Sequence, residues 1–447
     1  MFPGKKGRVC LLLVGVIAVS PTAVLAQVVG PVGGLGSSIG PVGAVGPINV
    51  PPNAAGGLSQ LPSVTAGVGR AIDSVNDGLL PAIASTVDSA GRPIDQRLMD
   101  FSSGVKVVRD EVLVIEPTAS DLAAAQGLKF EVLQTDRLGA LDLEAVSLRI
   151  PSGMSAARAL AALRTADPSG NFDLDHIYDP TGSGSTGLPA VVSSAMAAVP
   201  PGIVVGMIDA GIDKHHPALA HDEIIAGNVT GTAEAPATAH GTAVASLLVG
   251  QDRDFHGQLP GATLYAADVF GGAATGGSAL DIARALDWLA QNKVVVVNAS
   301  LAGPPNGLLA AAVKSFISKG HVLVAAAGNA GPAAPPAYPA AYDGVIGVTS
   351  VDANRHLQMD ANRGNVSFAA LGVSVRAATL KSGYDTFTGT SFAAPVVTAQ
   401  FAVMVRAPDA EAARNASQRL AKSAIRLGEQ SAFGYGFVGA VGSIAAQ

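Results

Sequence analysis

Ile203-Val204-Val205-Gly206-Met207-Ile208-Asp209-Ala210-Gly211 decides the fold, because six residues without a polar side chain run straight into a carboxylate and a glycine. A strand with one wet face alternates apolar and polar residues. An unbroken apolar run marks a strand buried on both faces, as in a parallel sheet. Runs of the same kind recur at 263–269, 294–297, 321–327 and 344–348, and helical spacing fills the gaps at 243–249, 279–290, 308–319 and 392–405. Strands that alternate with helices in this way predict a doubly wound, mostly parallel α/β domain over 201–447. Chemistry in such sheets collects where the strands end, which makes Asp209 the first candidate.

Two more candidates stand at the mouths of apolar helices. Ala239-His240-Gly241-Thr242 offers an imidazole, and Gly389-Thr390-Ser391-Phe392-Ala393-Ala394-Pro395 offers a hydroxyl. A serine hydroxyl is a poor nucleophile near neutral pH. It needs a neutral imidazole to take its proton and a carboxylate to fix the tautomer of that imidazole. The chain order Asp, His, Ser differs from the order in α/β-hydrolases, and Ala393 stands where their G-x-S-x-G elbow requires glycine. Pro395 has no N–H for the Ser391 carbonyl, a loss that is tolerated near a helix start.

As a set, these segments resemble the subtilase family of subtilisin-like serine peptidases from about Gly202 to the C-terminus. Ile208-Asp209-Ala210-Gly211 resembles the family's aspartate motif, with Ala210 where Thr or Ser is usual, and the segments around His240 and Ser391 resemble its histidine and serine motifs. The resemblance implies a subtilisin-like fold and a catalytic triad of Asp209, His240 and Ser391. Ala325-Ala326-Ala327-Gly328-Asn329-Ala330-Gly331 resembles the loop that carries the oxyanion-hole asparagine, which assigns that role to Asn329 together with the Ser391 N–H. Ser300-Leu301-Ala302-Gly303 resembles the segment that pairs with the substrate and walls the pocket for the residue before the scissile bond, Ala302 replacing a common glycine. Ala325, Ala326, Ala327 and Gly328 are then expected on the opposite wall.

Working outward from this domain, Lys5, Lys6 and Arg8 precede an apolar run over 9–19, and Val24-Leu25-Ala26 supplies small residues, so 1–26 reads as a secretory signal. A secreted or periplasmic protein is expected, with no membrane span in the mature chain. Residues 27–104 form a Gly/Pro-rich tract followed by a stretch with some helical spacing at 58–103. Residues 105–180 carry a compact βαββαβ pattern, an α+β ferredoxin-like module. Beside the resemblance, this module resembles a subtilase propeptide, which implies an intramolecular chaperone and inhibitor whose C-terminal end lies in the active site. The Gly/Ser-rich stretch at 181–200 reads as a linker and processing region, with cleavage expected between Tyr178 and Ser194.

A net charge of −6 without charge blocks excludes nucleic acid as the expected partner and leaves protein or peptide substrates. The single cysteine, Cys10, lies in the signal-like segment, so a thiol nucleophile or thiolate metal site is excluded for the mature chain. His215, His216 and His221 lie near the aspartate motif, but His216-Pro217 reads as a structural turn, and no catalytic metal is expected. No cofactor is required by this chemistry. A structural calcium ion is compatible with the family, yet no loop of oxygen ligands is readable. Two other readings compete. A catalytically silent binding protein is hinted at by Ala210, Ala302 and Ala370-Leu371-Gly372, against which all four catalytic positions are intact. A sedolisin-type carboxyl peptidase needs Glu and Asp where His240 and Asn329 stand.

Overall fold

Strand Val204–Asp209 sits inside a seven-stranded sheet whose order is Phe368–Leu371, Ile346–Val351, Val322–Ala326, Val296–Ala299, Val204–Asp209, Thr263–Asp268, Ile224–Asn228. All the pairings are parallel. The computed structural model describes residues 99–102, 105–185, 199–231, 236–272 and 276–441. The signal-like segment and the tract up to residue 98 lie outside these.

From Val204–Asp209 the chain first builds the sheet to one side, through Ile224–Asn228 and Thr263–Asp268, and then turns to the other side with Val296–Ala299. Asp209 therefore ends its strand where the direction of winding reverses, which leaves a crevice between neighbouring loops. The unbroken apolar pattern has a direct packing cause. Val205 and Met207 enter the core shared with helices Ala239–Val249 and Thr390–Met404, while Ile208 enters the core shared with helices Ala279–Gln291 and Gly307–Ser318. Gly206 lies against Leu289, Val294 and Val297, where a β-carbon would come within 2.9 Å of two valine methyls.

Ahead of this domain, strands Phe172–Pro180, Val105–Ile115, Leu143–Arg149 and Glu131–Leu138 form, in that order, an antiparallel sheet. Helices Ala119–Gly127 and Ala156–Ala166 cover one face, and the order is that of a ferredoxin-like βαββαβ unit. Along Val112-Leu113-Val114-Ile115, Val112 and Val114 pack under the two helices, whereas Leu113 and Ile115 join the core of the larger domain. The strand does not alternate because its second face is also buried. Leu113, Ile115, Leu138, Leu141 and Tyr178 are all buried in that second core, each worth roughly 1.5–3 kcal/mol. The half-exposed ion pair Lys106–Asp179 at 2.8 Å joins two strands of the module itself and adds at most about 1 kcal/mol there, so apolar burial is what holds the module against the domain.

Polar groups fix the orientation of docking. Asp175 Oδ1 accepts from the Leu280 N–H at 3.1 Å and Asp173 Oδ2 from the Gly307 N–H at 2.6 Å, so one strand places a carboxylate at the start of each of two helices. Arg284 donates to Asp136 of the module at 2.7 and 2.9 Å and to Asp281 at 2.9 Å. Strand Met99–Ser102 lies where the sequence suggested helical spacing. Hairpin pairing with Val105–Ile115 outweighs local periodicity over so short a segment.

Burial, and then the charges of Glu111 and Asp281, push the Asp175 carboxyl up to about 8. Its unfolded value is about 3.9, so the folded chain binds the extra proton, and the stability this carboxyl confers is full below about pH 4 and lost as pH rises towards 8. His176, pushed down by burial, acts in the opposite sense near its ordinary value of about 6.5. An Asp175→Asn comparison isolates the carboxyl. In urea unfolding of full-length Ser391→Ala chains, the stability of Asp175→Asn relative to Asp175 should increase from pH 5 to 8 and level off above. A pH-independent difference would show that this carboxyl does not change its ionisation on folding.

Candidate active site

Asp209 has no exposed surface, and its Oδ1 accepts from the Ala210 N–H at 2.7 Å and from His240 Nδ1 at 2.8 Å. A carboxylate accepts and does not donate, so Nδ1 carries the proton and Nε2 presents a lone pair. Helix Ala239–Val249 brings His240 to this position through its cap. Thr238 Oγ1 accepts from the Gly241 N–H at 3.0 Å, and the Thr238 N–H donates to Gly211 O at 2.9 Å, which ties the helix start to the aspartate loop. Thr242 Oγ1 adds a second tie by accepting from the Asp213 N–H at 3.0 Å. The glycine after the histidine is a steric requirement, since a β-carbon at Gly241 would lie 2.4 Å from Ala210 O. The His240 ring packs on Phe392 at 5.3 Å between centroids.

Ser391 is the second residue of helix Thr390–Met404 and is fully buried. Its carbonyl, left without a donor by Pro395, accepts from Ser300 Oγ at 3.0 Å, and Ser300 Oγ in turn accepts from Asn298 Nδ2 at 2.8 Å. Ser391 Oγ donates to Ser300 O at 3.0 Å. That leaves the Thr181 hydroxyl as donor in the 2.5 Å contact between the two side chains. His240 Nε2 has no partner, so the structure joins Asp209 to His240 but leaves Ser391 turned to Ser300 and Thr181.

The orientation of the Asn329 amide is fixed by its neighbours. Its Oδ1 accepts from the Thr390 N–H at 3.1 Å and from Gln358 Nε2 at 3.2 Å. A backbone N–H only donates, so the atom it meets is the oxygen and Nδ2 points the other way. Nδ2 is buried without a partner. It borders the space above Gly389, where a β-carbon would lie 2.9 Å from Nδ2 and 2.8 Å from Thr181 O. Thr181 O also accepts from the Ser391 N–H at 3.2 Å. A carbonyl of the chain itself thus meets one donor suited to an oxyanion, the Ser391 N–H, while Nδ2 borders the same space above Gly389.

Around this carbonyl the chain is bound as a strand. Leu301 and Ala302 pair antiparallel with Pro180 and Asp179, and Gly277 and Ser278 pair with Tyr178 and Ile177. Gly303 presses on the Tyr178 ring, and Gly328 donates to Thr390 Oγ1 at 3.1 Å. Ala325 and Ala326 belong to the buried strand Val322–Ala326, and Ala327 is also buried. Gln358 was invisible in the sequence because it reaches Asn329 only through the fold, from a loop 29 residues away. Asp268, paired in register with Asp209, likewise gave no signal, and burial pushes its carboxyl up. Both ring nitrogens of His216 are held by backbone, Nδ1 by the Ala218 N–H at 3.1 Å and Nε2 by Gly383 O at 2.7 Å. No group of three or more His, Cys, Asp or Glu side chains gathers among the described residues.

A doubly wound sheet with Asp, His and Ser at its crevice defines a serine-hydrolase type of protein. The family model of the subtilases matches residues 201–436, and the chain belongs to the subtilase family. It is 32% identical to subtilisin DY of Bacillus licheniformis over 246 residues, 53% of this chain and 88% of that protein. It is also 32% identical to subtilisin Savinase of Lederbergia lenta over 247 residues, 54% of this chain and 89% of that protein. The fold is shared with fervidolysin from Fervidobacterium pennivorans, a keratinolytic enzyme related to subtilisin, at a TM-score of 0.63 and 21% identity, covering 76% of this chain and 61% of that one. The protein is a subtilisin-like serine endopeptidase.

An amide that meets the oxyanion only as the carbonyl becomes tetrahedral acts on the transition state and not on bound substrate. Asn329→Ala should lower kcat by about 10²–10³ with KM nearly unchanged. Gln358→Leu removes the donor that aims the amide while leaving the amide itself, and should lower kcat by roughly 10-fold, again at constant KM. A steady-state comparison on a peptide amide checks both. Unchanged kcat in Asn329→Ala would remove the amide from the site.

Proposed function

We propose that this chain is an exported endopeptidase that hydrolyses peptide bonds through an acyl-enzyme on Ser391 and matures by removing the segment ahead of its catalytic domain. The observation that carries the reading is a pair of buried, unpartnered polar atoms, His240 Nε2 and Asn329 Nδ2, next to residues that flank Ser391. Native structures rarely leave such atoms unpaired without a functional reason. Nε2 is placed to receive a proton, and Nδ2 to stabilise a negative oxygen.

In this mechanism the Ser391 side chain turns about its first torsion from the Ser300 oxygen towards His240 Nε2, a move between staggered wells. His240 takes the hydroxyl proton, Oγ adds to the substrate carbonyl, and Asp209 holds the imidazole in its productive tautomer. The Ser391 N–H and Asn329 Nδ2 bind the oxyanion. His240 then protonates the leaving amine, and water hydrolyses the acyl-enzyme by the same route in reverse. No step passes through a metal, a thiol or a cofactor. Leu301 and Ala302 on one side and Gly277 on the other hold the substrate as an added strand.

The module at 105–180 serves as inhibitor and folding aid, supported by its last strand lying in the cleft. Export is supported by the basic and apolar pattern of the first 26 residues. Among the described residues, no helix is long and apolar enough to cross a membrane.

Ser391→Ala should lower kcat by about 10⁶ and leave the exported chain uncut, and serine-directed phosphonylating reagents should inactivate the parent enzyme. Peptide hydrolysis and intact mass of the secreted protein report both. A purified Ser391→Ala chain that hydrolyses peptides at the parent rate would refute the reading.

A further inference from the structure

We infer that the chain processes itself at the Thr181–Gly182 bond, and that Tyr178 and Gly182 set this register. The inference rests on the peptidase reading above. Three independent sets of contacts place the same bond at Ser391. Thr181 O accepts from the Ser391 N–H at 3.2 Å, and the Thr181 N–H reaches Ser300 O at 3.4 Å, so both backbone groups of Thr181 are held at the nucleophile. Before it, Ile177, Tyr178, Asp179 and Pro180 lie between Gly277-Ser278 and Leu301-Ala302. After it, Ser183, Gly184 and Ser185 pair antiparallel with Thr388, Phe387 and Thr386. The chain enters the cleft on one pair of strands and leaves along a third, and the bond in between is Thr181–Gly182.

Side chains explain why the register cannot slip. Tyr178 is fully buried, and its hydroxyl donates to Pro304 O at 2.7 Å. The slot around it is closed by two glycines. A β-carbon at Gly303 would lie 2.5 Å from the Tyr178 ring, and one at Gly276 would lie 2.5 Å from Tyr178 O. On the leaving side, Gly182 has φ +135°, and a β-carbon there would lie 2.6 Å from the Phe392 ring and 3.0 Å from Thr388 O. The site therefore demands an aromatic residue four places before the bond and a glycine immediately after it. Between residues 178 and 198 the only aromatic residue is Tyr178, and four places on stands Gly182. Shifting by two residues to Ser183–Gly184 keeps a glycine after the bond but puts Pro180 in the tyrosine slot.

In the reaction, Ser391 Oγ bonds to the Thr181 carbonyl carbon while its proton passes to His240 Nε2. The Thr181–Gly182 C–N bond then breaks as that proton passes to the Gly182 nitrogen, which becomes a free amine. Water hydrolyses the ester, which regenerates the Ser391 hydroxyl and leaves a carboxylate on Thr181.

The test follows the full chain by intact mass from its first appearance, together with a synthetic peptide of residues 174–185 offered to the processed enzyme. The parent chain should give an N-terminal fragment ending at Thr181 and a partner fragment beginning at Gly182, and the peptide should be cut at the same bond. In the full chain, Gly182→Val should slow cleavage there by about 30-fold or more, and Tyr178→Ala in the peptide should lower kcat/KM by a similar factor, as truncation of a buried anchor does. The C-terminus of the first fragment, read at its first appearance and before any later trimming of either fragment, is the decisive readout. A parent chain cut within 186–198 and intact at Thr181–Gly182, by an enzyme that hydrolyses other peptides, would overturn the register and leave the peptidase reading standing. A chain that cuts neither itself nor any peptide would overturn that reading, and this proposal with it.

Discussion

The hydrogen bond from His240 Nδ1 to Asp209, at 2.8 Å in a site without water-accessible carboxylate surface, constrains everything built around it. Burying a carboxylate is costly unless donors meet it, and only two are supplied, the imidazole and the Ala210 N–H. The histidine helix must therefore approach the end of the central strand closely enough for its backbone to touch the aspartate loop. That approach is available only with glycine at 241, where any β-carbon would collide with Ala210 O. The short motifs of the sequence are thus the packing conditions for one buried pair, and the sheet's reversal of winding at Asp209 supplies the crevice into which the pair opens.

A second constraint comes from Pro395. It deprives the Ser391 carbonyl of its helical partner, and the fold answers with Ser300 Oγ, itself held by Asn298. The same serine offers its own carbonyl to Ser391 Oγ. Ser300 therefore binds Ser391 at both its backbone and its side chain while the segment that follows pairs with Asp179 and Pro180. Holding the helix start, parking the Ser391 hydroxyl and leading into the segment that pairs with Asp179 and Pro180 all fall to one residue, and a change at Ser300 cannot separate them.

How much of this was legible in the sequence follows from how local each feature is. Asp209 at a strand end, His240 and Ser391 at helix starts and Asn329 just after a strand are flanked by glycines and small residues written within a few positions, and the parallel strands appear as unbroken apolar runs. Gly277–Ser278 and Ser183–Ser185 could not be found that way, because two or three residues have no period and their pairing comes from partners about 100 and 200 positions away. Helix Ala410–Ser423 escaped because the inward face of its sequence is mostly alanine, with Ala416 and Leu420 its buried residues. Gln358 and Asp268 carry no motif at all, and only the fold brings them to Asn329 and Asp209. The βαββαβ order of the module is visible in its sequence, whereas what covers the second face of the unbroken Val112–Ile115 run, the core of the larger domain, appears only in the fold.

That second face gives the proposed inhibitory role of the module a physical basis. In the proposed mechanism a substrate makes the same bonds that hold residues 177–181 in the cleft, so the uncut chain would block the site by occupying it. The proposed cleavage would remove one covalent link, whereas Tyr178 in its slot, the strand pairing, and Leu113, Ile115, Leu138 and Leu141 packed against the domain do not depend on that bond. On that proposal the cut would not release the module by itself. It only ends the advantage of an intramolecular contact, whose effective concentration falls once the chain ends separate. Release then depends on exposing that apolar face, and on whatever unfolds or degrades the module once its helices lose the support of the domain.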